Sequence, residues 1–276
     1  MVYLSNAAGY TATVSPHGAQ VLSWRSAVGG NHLYCSPQDA LPGRAVRGGI
    51  PVCFPQFANC GPLTKHGFAR TSVWQLDSVP VTGPDVPLAA ASFSLSDSPL
   101  TRAVWPFGFT LVLQVQLGEG FMECRLNVSN SGADAFEFTA ALHTYLAVDD
   151  VLLVAVSSLL AVDYLDALHQ DAKTASTVSL LQIRDEVDRT YLNTPTNLEL
   201  LVDDQAHMRI EQSGFADTVV WNPGPAKAAS LGDMPMDDWR HMLCIEAAQI
   251  EHPVQLLPGA QWHGSQRLTL IASTHN

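Results

Sequence analysis

Hydrophobic residues recur at every second position over much of the chain, the spacing of a β-strand with one face in a core. From Phe109 to Leu117 the odd positions are Phe, Leu, Leu, Val and Leu, with Thr, Val, Gln and Gln between them. A Gly118-Glu119-Gly120 turn follows, and then Met122, Cys124, Leu126 and Val128 alternate with Glu123, Arg125 and Asn127. The pattern predicts an antiparallel hairpin with one wet face. A second turn, Asn130 to Asp134, leads to a further strand. One side of it carries Phe136, Phe138, Ala140 and Leu142, the other Glu137, Thr139, Ala141, His143 and Tyr145.

No long apolar period of 3.6 residues stands out, and Gly and Pro recur throughout. The run VLLVAVSSLLAV from Val151 is a dozen residues between aspartates, too short to span a bilayer, and predicts buried strand. The segment VPVTGPDVP, residues 79 to 87, reads as a loop, because strands resume on both sides. These signals predict one all-β, mostly antiparallel domain over residues 1–276.

With 47% apolar and 14% charged residues the composition is that of a globular protein. A net charge of −12 argues against nucleic acid or an anionic membrane as partner, since both need a broad basic face. The five cysteines are odd in number and widely spaced, with no C-x-x-C and no His/Cys spacing of a metal site. A reducing, cytoplasmic setting is the expectation, and the N-terminus lacks the basic start and apolar run of a secretory signal.

Charge is distributed unevenly. From Ala40 to Leu76 there is no Asp or Glu, yet Arg44, Arg47, Lys65 and Arg70 lie there, four of fourteen basic residues. Arg47 and Arg70 flank a loop shaped by Pro and Gly, and two converging guanidiniums suit a phosphate or carboxylate. On spacing alone, pairing with some of the 26 acidic residues is the stronger account. His143 sits on the less apolar face of its strand, either as an ordinary hydrogen-bonded residue or as a proton donor. Glu246 is the lone carboxylate in the apolar run MLCIEAAQI, so it is paired, protonated, catalytic, or else at a strand end facing water. Asp188, in EVDRTY, fits a charged turn. Asp217, Trp221 and Asn222, in DTVVWNPGP, fit sugar binding or loop packing equally.

Taken in order, RGGIPVCFPQF, HGFAR with Trp74 after it, ALHTYLAV, EVDRTY, DTVVWNP, CIEA and LPGAQWHGSQ resemble the hexose-6-phosphate mutarotases of the aldose 1-epimerase superfamily. The likeness runs from about Gly18 to Gln266. It implies a galactose-mutarotase-like β-sandwich (supersandwich) acting on a hexose 6-phosphate without cofactor or metal. By motif position His143 is similar to that family's general acid and Glu246 to its general base. Arg47 and Arg70 correspond to arginines that bind substrate and phosphate, His66 to a binding-site histidine, and Asp188 to an aspartate on sugar hydroxyls. Lys65 departs from the family's pattern and adds positive charge. The mechanism implied has an ionised Glu246 beside a protonated His143, each favouring the other's charge. An epimerase for unphosphorylated sugars and a non-catalytic sugar-phosphate binder share these motifs.

Overall fold

A computed structural model of the chain describes residues 1–38 and 44–272, so residues 40–43, which begin the acid-free window, lie outside it. Among the described residues the strands form sheets of three, eight and nine members, and every pairing between them is antiparallel. The predicted hairpin is Phe109–Gly118 with Phe121–Asn130, at the register Gly118↔Phe121. Its alternation is explained by packing: Phe109, Leu111, Leu113, Val115 and Leu117 are fully buried, while Thr110, Gln114 and Gln116 are not.

The nine-stranded sheet runs from Leu180–Gln182 through Gln205–Ser213, Gln261–Leu270 and the hairpin to Gln75–Leu76. The eight-stranded sheet has at its centre Val187–Tyr191, Asp217–Asn222, Met242–Leu256 and Phe136–Leu142, in that order, with Tyr145–Ala147 also paired to Met242–Leu256. Asp217–Asn222, most of Phe136–Leu142 and the first half of Met242–Leu256 are buried on both faces. In Met242–Leu256 the side chains of Leu243, Ile245 and Ala247 enter the main apolar cluster between the two large sheets. Met242, Cys244 and Ala248 enter a second cluster on the other face, with Tyr34, Phe57, Tyr145 and Trp221. Burial of both faces is why MLCIEAAQI reads as continuous rather than alternating.

The run from Val151 departs from its expected form. Val151–Leu153 is a 3-10 turn capped by Asp150, whose carboxylate accepts from Leu152 N–H at 3.0 Å, and only Val154–Ser157 is strand. Beyond it Ser158 and Ala161 take positive φ (68° and 60°), which turns the chain and leaves Leu160 exposed. EVDRTY is strand rather than turn, over Val187–Tyr191.

Asp217 and Asn222 do structural work. Asn222 Nδ2 donates to the Trp239 and Met242 carbonyls at 2.8 Å each, and its Oδ1 accepts from Gly224 N–H at 2.8 Å. Asp217, 1% exposed, accepts from the backbone N–H groups of Asn193 (3.2 Å), Ile250 (2.9 Å) and Glu251 (3.0 Å). The last two lie where Met242–Leu256 shifts register against Phe136–Leu142, so the carboxylate satisfies amides that the ladder cannot. Asp217→Ala strips these donors of their acceptor. Its urea unfolding midpoint is expected to fall by an amount equivalent to at least about 1–3 kcal/mol; an unchanged midpoint contradicts this role.

Candidate active site

The site lies on the second buried face of the eight-stranded sheet, and strand register builds it. Ala247 pairs with Leu142 and Cys244 with Tyr145, so Glu246 and His143 fall opposite one another between these pairs. Both point away from the inter-sheet core, because Leu142 and Ile245, their neighbours in sequence, fill it. The next row on the same face carries Tyr145, Cys244, Trp221 and Asp188, linked by the pairings Tyr145↔Cys244, Trp221↔Cys244 and Asp188↔Trp221. The His143 and Tyr145 rings stack at 4.8 Å with 6° between planes, and Trp221 sets its edge against both.

The acid-free segment closes the cavity from the other side. Gly49 and Gly67 allow the approach: a Cβ on Gly49 would lie 1.9 Å from the Val21 carbonyl oxygen, and one on Gly67 2.2 Å from that of Phe54. His66, at φ 67°, points inward; its Nδ1 accepts from Ala58 N–H at 3.2 Å and lies 3.3 Å from Cys53 Sγ. The neutral ring therefore carries its proton on Nε2.

Arg47, Lys65, His66, Arg70, His143, Asp188 and Glu246 all line this one cavity of about 200 Å³. The charges differ in their commitments. Arg47 Nε is 2.7 Å from Asp233 Oδ1, and its Nη1 donates to Tyr145 OH at 3.5 Å, so for Arg47 the pairing with an acid holds. Arg70 donates from Nη2 to the Lys65 carbonyl at 2.9 Å, while its buried Nε has no partner. Among the described residues neither Arg70 nor Lys65 enters an ion pair.

His143 Nδ1 and Glu246 Oε1 are 3.2 Å apart, yet not aligned as a hydrogen bond; His143 Nδ1 and Glu246 Oε2 both lack a partner. Burial drives both groups toward their uncharged forms. It lowers the His143 imidazole well below its usual range, with His66, Arg70, Arg47 and Lys65 adding to the effect. It raises the Glu246 carboxyl well above the usual range, with Asp188 adding and Lys65 and Arg70 opposing. Desolvation thus opposes the expected ion pair, in which each partner secures the other's charge. Asp188 is pushed up to about 6, chiefly by burial.

Tyr145, Trp221 and Lys227 also line the cavity. Lys227 sits on the short helix Gly224–Ala228, 3.4 Å from Glu186, and nothing in its local sequence marks it as a site residue. Potential ligand atoms of His143, Cys244 and Glu246 lie within 4.8 Å of one another. This triplet is a poor cation site, because burial raises the Cys244 thiol far above its usual range and four cationic side chains, Arg47, Lys65, Arg70 and Lys227, share the cavity.

A carboxyl and an imidazole side by side at the floor of a cation-lined cavity can move protons on a small anionic molecule. Comparison with known proteins narrows the class. The family described as aldose 1-epimerase matches residues 1–269. Proteins named "Putative glucose-6-phosphate 1-epimerase" are similar: one from Cenchrus ciliaris is 34% identical over 99% of this chain and 85% of its own. Another from Escherichia coli strain K12 is 35% identical over 86% of this chain and 79% of its own. The crystal structure of a "putative mutarotase" from Salmonella typhimurium superimposes with a TM-score of 0.86 at 29% identity, over 95% of this chain and 87% of that one. A galactose mutarotase related enzyme from Lactobacillus acidophilus shares the fold, with a TM-score of 0.76 at 17% identity over 100% of this chain and 98% of that one. The chain belongs to the aldose 1-epimerase family, and is an isomerase built on a galactose-mutarotase-like β-sandwich.

The His66 ring, lowered to about 3 by burial and then by Arg70, Lys65 and Arg47, is expected to remain the neutral Nε2–H tautomer from about pH 8 to about pH 4. Long-range ¹H–¹⁵N correlation spectra check this; a titration midpoint near the usual histidine value contradicts it.

Proposed function

We propose that the protein is a hexose-6-phosphate 1-epimerase, interconverting the α and β anomers of glucose 6-phosphate. One observation carries this reading: His143 and Glu246, side by side at 3.2 Å, line the same cavity as the unpaired cations Arg70 and Lys65. Relatives named as glucose-6-phosphate 1-epimerases support the substrate class.

In the reaction Glu246 takes the proton from the C1 hydroxyl while His143 gives one to the ring oxygen. Both oxygens are bonded to C1, so acceptor and donor must stand side by side, as these two do. The C1–O5 bond opens to the aldehyde, the C1–C2 bond rotates, and closure on the other face returns both protons. The chemistry needs one proton across the pair, with Glu246 as base and His143 as acid. A 6-phosphate carries close to two negative charges at neutral pH. Bound by Arg70 and Lys65, it offsets the cations that add to burial in keeping His143 neutral, and so favours the imidazolium where the ring oxygen needs it. Arg47, already paired with Asp233, has less free charge to offer than Arg70 and Lys65. Asp188 and His66 meet sugar hydroxyls from opposite walls.

The cavity also gives a reason for the acid-free segment. A protein of net charge −12 repels a phosphorylated sugar unless one region is cleared of carboxylates. Five cysteines without a disulfide support a reducing, cytoplasmic location.

His143→Gln and Glu246→Gln are expected to fold while losing about 10²- to 10⁴-fold in kcat, measured as anomer exchange; near-native turnover in both removes the mechanism. Arg70→Ala is expected to raise KM for glucose 6-phosphate by about tenfold or more, the loss of about 1.5–3 kcal/mol of charged hydrogen bonding. Turnover of free glucose should change little, and equal losses on both sugars mean that Arg70 does not read phosphate.

A further inference from the structure

The core between the two large sheets is apolar except at a few points, and one lies directly beneath the site. Gln266, 2% exposed on the strand Gln261–Leu270 of the nine-stranded sheet, reaches across to the eight-stranded one. Its Oε1 accepts from the Thr144 hydroxyl, and its Nε2 donates to the Ile245 carbonyl at 2.9 Å. Thr144 follows His143, and Ile245 precedes Glu246. The Ile245 N–H donates to the Thr144 carbonyl at 3.1 Å and closes a triangle of three hydrogen bonds.

A buried amide is costly unless satisfied, and a leucine would fill the space with no such demand. What the amide adds is direction. The strand Phe136–Leu142 ends just before His143, and Tyr145–Ala147 resumes after it, so the backbone that carries His143 lies in a break in the ladder. Because successive side chains point to opposite faces, whatever holds residues 144 and 245 from below sets how residues 143 and 246 stand above. A second glutamine repeats the device one strand away: Gln212, in register with Gln266, accepts from the Thr218 hydroxyl at 3.1 Å and donates to the Asp217 carbonyl at 3.3 Å.

We propose that Gln266, through Thr144 and the Ile245 carbonyl, is a positioning residue that sets the separation and aim of the His143–Glu246 pair. The inference rests on the acid–base reading given above. It concerns no contact with substrate, since Gln266 faces the core and does not line the cavity.

The test uses the full chain with Gln266→Met, Thr144→Val and the double variant. Each removes hydrogen bonds while keeping nearly the same volume, so cooperative unfolding is expected to persist. In each, kcat for glucose 6-phosphate should fall by about tenfold or more with KM within about twofold, as expected when reacting groups are misaimed but binding is intact. The double variant should be no slower than the slower single one, because both act through one triangle. The pH profile of kcat and the ring ¹⁵N signals of His143 should shift as its distance from Glu246 changes. Native kcat in both single variants overturns the proposal, as does a kcat loss with unmoved pH profile and His143 signals. If Gln266→Met fails to fold, Thr144→Val decides alone. A native protein inert on glucose 6-phosphate defeats the functional reading instead, and the His143 signals then decide the positioning role.

Discussion

Everything in the site depends on a cross-strand pair that does not lie within a continuous ladder. His143 and Glu246 face one another because the pairings on either side, Leu142↔Ala247 and Tyr145↔Cys244, keep the same register across the break. A one-residue slip of either strand would turn its side chain of the pair into the inter-sheet core. The second face of the sheet is itself covered by Tyr34, Phe57, Tyr145 and Trp221, and the pair is buried beneath that cover. That cover makes the pair chemically useful: it pushes the carboxyl and the imidazole toward neutrality, where a small change in nearby charge moves a proton between them.

Charge at the cavity follows the same logic. Arg47 belongs to Asp233, Lys227 leans on Glu186, and only Arg70 and Lys65 are left with no acidic partner among the described residues. An anionic group entering the cavity meets charge with no acidic partner, from half-buried Arg70 and exposed Lys65, above a buried acid–base pair. The surrounding negative charge of the protein sharpens that contrast.

Much of the fold was legible because an antiparallel strand with one buried face writes a two-residue period into its sequence, as Phe109–Gly118 does. Glu246 was legible for the opposite reason: a lone carboxylate in a strand buried on both faces breaks the only pattern present. Less could be seen where distant residues decide. Nothing near Arg47 reveals that Asp233, 186 residues away, takes its charge. Lys227 and the Gln266–Thr144 contact are equally non-local. The stretch from Val151 looked like strand throughout because hydrophobicity does not show the Asp150 cap or the positive φ at Ser158 and Ala161. The opposing pull of desolvation on the acid–base pair was also hidden, since attraction between partners is readable from identity while desolvation is readable only from burial.

Two-dimensional exchange NMR of glucose 6-phosphate reports directly on whether this pair opens and closes a hemiacetal. With catalytic amounts of protein, cross-peaks between the α and β C1 protons should grow in proportion to protein concentration, well above the spontaneous rate. Exchange that stays at the rate of the sugar alone, under conditions where the protein is folded and the sugar binds, contradicts the account.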